Sequence, residues 1–215
     1  MGKVISLVNQ KGGVGKTTTS INLSASLAVL GKKTLLIDLD PQGNTTTGIG
    51  INKGDIDKSI YDVLIDKCLI QEAIVHTKYK RFDCIPATIN LAGIDIELIE
   101  KSREEPNFVK GAQLKSKLDT IKDNYDFVII DCPPSLGIIT TNALTASDSV
   151  IIPVQCEFFA LEGIMQLLNT IIPRLVRLAE CPSHGKPIIA YDPKCRATDA
   201  YINLAKEVIE RNGHI

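Results

Sequence analysis

The feature that most constrains the fold of this 215-residue chain is a glycine-rich loop between an apolar run and a helical pattern. The apolar run is Val4–Val8, and the loop is Lys11-Gly12-Gly13-Val14-Gly15-Lys16-Thr17-Thr18. Glycines let a backbone approach oxygen atoms that a Cβ would block, and a helix N-terminus attracts anions. We therefore predict a strand–loop–helix unit that wraps a polyphosphate, with Lys16 reaching the outer phosphates and Thr17 ligating Mg²⁺.

Apolar, β-branched runs alternate with helical patterns along the rest of the chain, which is typical of βαβ units around a parallel sheet. We predict an α/β fold, a doubly wound, mostly parallel sheet with helices on both faces, in a single domain spanning residues 1–215. The predicted strands are Val4–Val8, Thr34–Asp38, Phe82–Ile85, Phe127–Asp131 and Val150–Val154. The predicted helices are Thr18–Leu30, Ser59–Leu64, Ile70–Val75, Leu91–Glu100, Lys110–Lys122, one within Leu161–Leu178 that Pro173 interrupts, and Thr198–Arg211.

Carboxylates stand at the ends of two predicted strands. Asp38 and Asp40 end the second strand, and Asp131 ends the strand Phe127–Asp131. Ligands of open α/β sheets bind at the carboxyl ends of the strands. An acid fixed at a strand tip reaches Mg²⁺ directly or through water, so we predict a metal-binding role for Asp131. For Asp38 and Asp40 the alternative is an ordinary polar strand end that leads into a Pro-Gly turn.

The loop departs from the usual pattern G-x-x-x-x-G-K-[ST] at its first position, where Gln10 stands, and it carries a second lysine, Lys11. The variant K-G-G-x-G-K-[ST] resembles the deviant Walker A motif of the ParA/Soj partition ATPases, in the larger group that includes MinD and the nitrogenase iron protein. The segments 85–93, 153–163 and 179–187 are also similar to ParA/Soj sequences. The resemblance covers nearly the whole chain.

The resemblance implies roles for individual residues. Asp40 would position the attacking water, and Asp38 would lie near the metal. Lys11 would cross a dimer interface to the nucleotide of the partner subunit, much as an arginine finger does. The implied catalytic residues are Lys11, Lys16 and Asp40. The implied nucleotide-binding residues are Lys11, Gly12, Gly13, Val14, Gly15, Lys16, Thr17, Thr18 and Pro173. The implied metal-binding residues are Thr17, Asp38 and Asp131.

The function implied by the resemblance is a switch that binds ATP and Mg²⁺, forms a homodimer and hydrolyses ATP slowly. Such a protein acts in chromosome or plasmid segregation, binds double-stranded DNA without sequence preference, and is stimulated by a ParB-like centromere-binding partner. We therefore expect a cytoplasmic, nucleoid-associated protein. The net charge of −1 excludes a general attraction to nucleic acid, so DNA contacts must come from a local patch.

The chain departs from the ParA/Soj pattern after Thr170, where the sequence runs directly into Ile171. A strand–helix unit, about 30 or more residues, is missing there. Leu175 also stands where the family usually has an asparagine, which puts base selectivity in doubt. Arg174 and Arg177 remain as candidate DNA-binding residues, and an ordinary solvated charged face is an equal alternative.

Two further alternatives keep the nucleotide site but change the task. A MinD-like positioning ATPase would need a basic amphipathic membrane helix, and the tail from Glu207 to Ile215 is short and not strongly basic, so we expect no membrane attachment. A poorly catalytic, nucleotide-gated interaction protein is the other alternative, motivated by the missing unit and by Leu175. The six cysteines contain no C-x-x-C pair, which argues against a zinc site or a disulfide framework, and Cys132 alone does not indicate an iron–sulfur carrier.

Overall fold

The computed structural model describes residues 2–155 and 171–212 of the chain. Among these residues, six strands form one sheet in the order β3-β4-β2-β5-β1-β6. The strands are β1 (Lys3–Leu7), β2 (Thr34–Asp38), β3 (Val75–His76), β4 (Phe82–Ile85), β5 (Phe127–Asp131) and β6 (Ser149–Ile151). All pairs are parallel except β3 with β4, so the predicted α/β fold with a mostly parallel sheet is confirmed.

The nine α-helices of the described residues lie on both faces of this sheet. They are α1 (Lys16–Val29), α2 (Asn44–Gly48), α3 (Ile60–Leu64), α4 (Ile94–Glu104), α5 (Gln113–Leu118), α6 (Ile138–Ala146), α7 (Val176–Glu180), α8 (Ile188–Tyr191) and α9 (Arg196–Asn212). Within the same ranges, no helix is both long and apolar enough to cross a membrane.

The alternation of side chains along the central strands divides the core into two layers. Leu35 and Ile37 of β2 pack on one face, with residues of α3 to α6. Leu36, between them, packs on the other face with residues of α1 and α9. Successive strand residues point to opposite faces, so a strand that is apolar throughout must be covered on both sides. A third, smaller cluster joins α7, α8 and α9 around Tyr201.

The register of the sheet brings the acidic strand ends together. In the pairing of β2 with β5, Asp38 is opposite Asp131, and in the pairing of β1 with β5, Leu7 is opposite Asp131. The chain therefore leaves β1 for the glycine loop at the same edge where both carboxylates emerge. This is the arrangement that the sequence predicted from the carboxyl ends of parallel strands.

The structure shifts or divides several predicted elements. The strands Thr34–Asp38, Phe82–Ile85 and Phe127–Asp131 are confirmed. β1 is shifted one residue toward the N-terminus, and β6 begins one residue earlier and ends three residues earlier than predicted. The helix predicted over Ile70–Val75 is instead a 3₁₀ turn, Ile70–Ala73, followed by β3. β3 has two residues, which is too short for an alternating pattern in the sequence, so the strand is recognised by its pairing with β4.

The helical predictions in the second half also change. The helix predicted over Leu91–Glu100 is α4, preceded by a 3₁₀ turn at Ile89–Gly93, and the one over Lys110–Lys122 is reduced to α5 and a 3₁₀ turn at Lys122–Asn124. The predicted helix Thr198–Arg211 is α9, two residues longer at its start. Most of the helix predicted within Leu161–Leu178 lies outside the described residues, and α7 begins only after Pro173.

Candidate functional site

With respect to the described residues, the loop between β1 and α1 is open above its glycines. Gly13 and Gly15 have φ of +75° and +93°, which residues other than glycine rarely adopt. No atom of the described residues lies within 4 Å of a Cβ built on Gly12, Gly13 or Gly15. The loop therefore has room above it for a ligand that approaches the backbone, and α1 begins immediately after, at Lys16. An anion placed there would face the N-terminus of a 14-residue helix.

Lys16 lies inside the loop rather than on the surface, with a relative exposure of 7 %. Its Nζ donates to the carbonyl oxygen of Asn9 at 2.9 Å and to that of Lys11 at 3.2 Å. An ammonium group has three protons, so one remains for a ligand above the loop. The geometry suits a lysine that is held by carbonyl dipoles and presents its charge to a phosphate.

Two side-chain amides brace this loop against the segment that follows β6. Gln155 Nε2 donates to the carbonyl oxygen of Gly13 at 2.7 Å, and Asn9 Nδ2 donates to that of Pro153 at 2.9 Å. Asn9 also accepts from the backbone N–H of Lys11. Neither amide could be assigned to the site from the sequence, because their contacts with these two carbonyl oxygens join positions more than 140 residues apart.

Asp131 is fully buried at the tip of β5 and accepts three hydroxyl hydrogen bonds. Thr17 Oγ1 and Thr45 Oγ1 both donate to its Oδ2, at 2.8 and 2.6 Å, and Ser20 Oγ donates to its Oδ1 at 2.9 Å. Burial raises the pKa of Asp131, and the three hydroxyls oppose that rise by stabilising the charged form. The predicted pair Thr17 and Asp131 is therefore in direct contact, and Ser20 and Thr45 join it.

Asp38 is also fully buried, and its carboxylate closes the loop that follows β2. Its Oδ1 accepts from the N–H of Asp40 at 3.1 Å, and its Oδ2 accepts from the N–H and the hydroxyl of Thr46, at 2.9 and 2.7 Å. Burial, together with the negative charge of Asp131, raises the pKa of Asp38 to about 7. The Asp38 carboxylate thus contacts the loop after β2 at its first residues, through Asp40, and at its end, through Thr46.

Asp40 is half-buried at the beginning of the same loop. One of its carboxylate oxygens, Oδ1, accepts from the backbone N–H of Gln42 at 2.9 Å, and its carbonyl oxygen accepts from Gly43. The backbone N–H of the preceding residue, Leu39, donates to the carbonyl oxygen of Asp131 at 2.9 Å, so Asp40 lies near the end of β5, and its negative charge contributes to the raised pKa of Asp131. An accessible carboxylate beside the phosphate loop is suited to orienting a water molecule.

The residues present fit a nucleotide with Mg²⁺. The described ranges contain no group of three or more His, Cys, Asp or Glu residues that could hold a metal ion by itself. Mg²⁺ does not require such a group, since it is bound through one or two protein oxygens, phosphate oxygens and water. The Thr17 hydroxyl and the Asp131 carboxylate, which are hydrogen-bonded to each other, are the groups that would supply those protein oxygens.

The other predicted site residues are farther along the chain or on the surface. Lys11 is exposed at the start of the loop. Pro173 is half-buried and Arg174 is exposed in the stretch that leads into α7, and Arg177 in α7 lies with its Nε 3.9 Å from Asp192 Oδ2. This C-terminal part is attached beside the loop helix, because Asn22 Oδ1 of α1 accepts from the N–H of Ile188 at 2.6 Å.

Known proteins similar to this chain are consistent with that geometry. A family profile described as an AAA domain matches residues 2–177. The sporulation initiation inhibitor protein Soj of Bacillus subtilis (strain 168) is 48 % identical over 97 % of this chain and 98 % of its own length. The chromosome partitioning protein ParA of Caulobacter vibrioides (strain NA1000 / CB15N) is 41 % identical over 97 % of this chain and 94 % of its own length.

Solved structures show the same fold. The structure of cobyrinic acid a,c-diamide synthase from Mycobacterium smegmatis, with bound ADP and magnesium, has 30 % sequence identity and a TM-score of 0.78, covering 100 % of this chain and 97 % of its own. The septum site-determining protein MinD of Pyrococcus horikoshii OT3, complexed with Mg-ADP, has 24 % identity and a TM-score of 0.83, covering 99 % and 98 %. The second likeness concerns the fold alone.

Proposed function

The chain belongs to the Soj/ParA family of chromosome-partitioning ATPases, and we propose that it is an ATP-hydrolysing switch that dimerises on ATP and acts in DNA segregation. The observation that carries the proposal is the contact of Thr17 with Asp131 beneath a loop that holds Lys16 and is open above its glycines. The solved structures with bound ADP or an ATP analogue and magnesium support the choice of ligand.

In the proposed reaction, the N–H groups of the loop and the Lys16 ammonium bind the phosphates and stabilise the charge that develops on the transferred phosphoryl group. Mg²⁺, when bound, would neutralise phosphate charge. Thr17 and Asp131 are the residues that would hold it. Asp40 orients the attacking water from the start of the loop after β2. Asp38 was predicted near the metal, and its bonds to Asp40 and Thr46 support a role in shaping that loop.

Single substitutions should separate nucleotide binding from turnover. Lys16→Ala removes a charged hydrogen-bond donor and should weaken binding of a fluorescent ATP analogue at least tenfold, since such bonds contribute about 1.5–3 kcal/mol. Asp40→Ala should leave that binding within twofold and lower ATP turnover by about 10²–10⁴-fold. Lys115→Ala, which removes an exposed lysine from α5, should change neither quantity. Unchanged ATP binding in the Lys16 variant would refute the site assignment.

The exposed position of Lys11 supports the proposal of an ATP-dependent dimer. We propose that this exposed lysine reaches the nucleotide of a partner subunit, so that each site is complete only in the ATP-bound dimer. Analytical ultracentrifugation of the Asp40→Ala variant tests this, with ADP and then with ATP and Mg²⁺. We expect a monomer with ADP, a dimer with ATP, and loss of the dimer in a Gly12→Val double variant. A monomer under both conditions would contradict the switch.

We further propose that the dimer binds double-stranded DNA through Arg174 and Arg177 and that a ParB-like protein stimulates hydrolysis, in the cytoplasm and on the nucleoid. The exposure of both arginines supports the DNA contact. Replacing both by alanine should weaken DNA binding and reduce the slope of log K against log salt by about 0.9 for each lost phosphate contact. The control replaces Lys110 and Lys115, two exposed lysines of comparable charge. Equal effects of both pairs would indicate only a solvated charged face.

We also propose that the single domain lacks one strand–helix unit after Thr170. The length of the alignment with Bacillus subtilis Soj supports this, because it spans 255 positions against 215 residues in this chain. Inserting the corresponding unit of that relative between Thr170 and Ile171 should raise the midpoint of thermal unfolding, since the added strand and helix bury apolar surface. A midpoint that does not rise would argue that the sheet is complete without the unit.

A further inference from the structure

The short helix α2 carries two adjacent threonines whose hydroxyls contact two different buried carboxylates. Thr45 Oγ1 donates to Asp131 Oδ2 at 2.6 Å, and Thr46 Oγ1 donates to Asp38 Oδ2 at 2.7 Å. Both threonines have a relative exposure of 0 %. Successive residues of a helix are rotated by about 100°, so neighbouring side chains reach different sides of it. The helix thus lies between the two acids and is attached to each.

The Thr45 contact bears on the metal side of the site. Asp131 Oδ2 accepts from both Thr17 and Thr45, while Oδ1 accepts from Ser20. Thr17 is the residue that would turn its hydroxyl toward a cation at the loop. Thr45 and Ser20 can then keep the carboxylate in one orientation, as partners of a metal-binding carboxylate commonly do.

The Thr46 contact bears on the loop that carries Asp40. The carboxylate of Asp38 binds the N–H of Asp40 at one end of the loop and Thr46 at the other. The Thr46 hydroxyl also accepts from the N–H of Ala87 at 3.1 Å, in the segment after β4. A buried hydroxyl that donates to a carboxylate and accepts from an amide has a single favourable orientation. The Asp38 carboxylate therefore holds both ends of this loop, at Asp40 and at Thr46.

We infer that Thr45 and Thr46 are positioning residues with separate tasks. Thr45 orients Asp131 and so sets the Mg²⁺ dependence of nucleotide binding. Thr46, through Asp38 and Ala87, holds the loop that presents Asp40 and so sets the turnover rate. This inference rests on the proposed ATPase function. It states that one hydroxyl of α2 affects nucleotide binding and that the adjacent hydroxyl affects turnover.

The test compares Thr45→Val and Thr46→Val, which remove a hydroxyl and nearly preserve shape, with Thr47→Val on the same helix. Thr47 is exposed, and among the described residues its hydroxyl forms hydrogen bonds only with the carbonyl oxygens of Gly43 and Asn44. The measurements are the Mg²⁺ concentration that half-saturates binding of a fluorescent ATP analogue, the turnover rate at saturating ATP and Mg²⁺, and hydrogen exchange of the amides of residues 42–46. Circular dichroism establishes that each variant is folded at the assay temperature.

We expect Thr45→Val to raise the half-saturating Mg²⁺ concentration about tenfold, the lower end of what loss of an outer partner of a metal ligand costs. Thr46→Val should leave that concentration within twofold, lower turnover about tenfold and accelerate exchange of residues 42–46. Thr47→Val should stay within twofold in all three measurements. Thr45→Ser and Thr46→Ser, which keep the hydroxyl, should restore the parental values. Thr45→Ala and Thr46→Ala replace the valine variants if those do not fold.

Two results would overturn the inference. One is a pair of folded variants in which binding and turnover change in the same proportion, because that would mean a general loss of stability. The other is turnover and exchange in Thr46→Val equal to those of Thr47→Val. If the parental protein binds Mg²⁺ and the ATP analogue but does not turn over, the proposed function fails. The inference is then decided by the Mg²⁺ dependence of Thr45→Val and the exchange of Thr46→Val alone.

Discussion

Gly50→Ala should destabilise the protein more than an alanine at any glycine that faces open space. Gly50 follows α2 with φ of +91°, and a Cβ there would lie 2.8 Å from the carbonyl oxygen of Gly185. In return, a Cβ on Gly185 would lie 2.7 Å from Cα of Gly50. Two backbone segments therefore touch, and an added methyl group must push one of them away. Gly31 is the matched control, with φ of +86° and, in the part of the chain that the structure describes, no atom within 4 Å of its Cβ position.

The expected magnitudes follow from separating backbone strain from contact. An L-residue in the left-handed region costs about 1–2 kcal/mol, and both variants carry this cost. Displacing a packed neighbour adds about 1–3 kcal/mol at Gly50 only, as overpacked cores show. We therefore expect a loss of about 1–2 kcal/mol for Gly31→Ala and about 2–5 kcal/mol for Gly50→Ala.

Urea unfolding followed by circular dichroism measures both losses. With a slope of about 2 kcal/mol/M, the two midpoints should differ by about 0.5–1.5 M at an unchanged slope. Equal losses for the two variants would refute the reasoning, because they would mean that the segment around Gly185 does not pack against Gly50.

Two other changes have equally specific outcomes. Asp66 is partly exposed. Burial raises its pKa, but the ammonium groups of Lys101 and Lys117 outweigh that effect, so the pKa of Asp66 is lowered in the folded protein. Its contribution to stability is therefore present above the unfolded pKa of 3.8 and is lost as pH falls through the folded pKa. Asp66→Asn, compatible with the positive φ at this position, should lower the free energy of unfolding by up to about 1 kcal/mol at pH 7 and leave it unchanged near pH 2, as measured by urea titration at both values. Asn22→Ala removes the acceptor of the buried N–H of Ile188 and should lower the free energy of unfolding by about 1–3 kcal/mol, whereas a loss below 0.5 kcal/mol would show that the N–H finds another partner.

The parts of the fold that the sequence predicted well are those with a local signal. β2 and β5 are buried along their whole length and carry the apolar runs Leu35–Ile37 and Phe127–Ile130, as expected of strands covered on both faces, and their predicted bounds are confirmed. α6 was missed because its β-branched residues favour a strand. Contacts of Asn142 stabilise this helix in the fold. Its side-chain Nδ2 donates to the carbonyl oxygens of Ile138 and Lys110, and its Oδ1 accepts from the N–H of Leu114. Those bonds join elements that no local pattern connects.

The site shows the same division. Lys16 and Thr17 could be predicted because their spacing from the glycines is fixed by the loop, and Asp131 because a single acid follows a buried run. Ser20 and Thr45 could not be predicted, since hydroxyls are common in helices and these two are 111 and 86 residues away from the carboxylate they contact. Their role depends on the register of the sheet, which the sequence does not state.

The position of β1 in the sheet has a consequence for synthesis on the ribosome. β1 is made first, yet its two neighbours are β5 and β6, and at about 5–20 residues per second roughly 6–24 s pass before β5 emerges. During that interval the apolar strand has no partner, while β2 and β4 can already pair. The loop that β1 supports therefore becomes structured late. A nascent chain released before residue 131 would expose an unpaired strand and could not hold nucleotide.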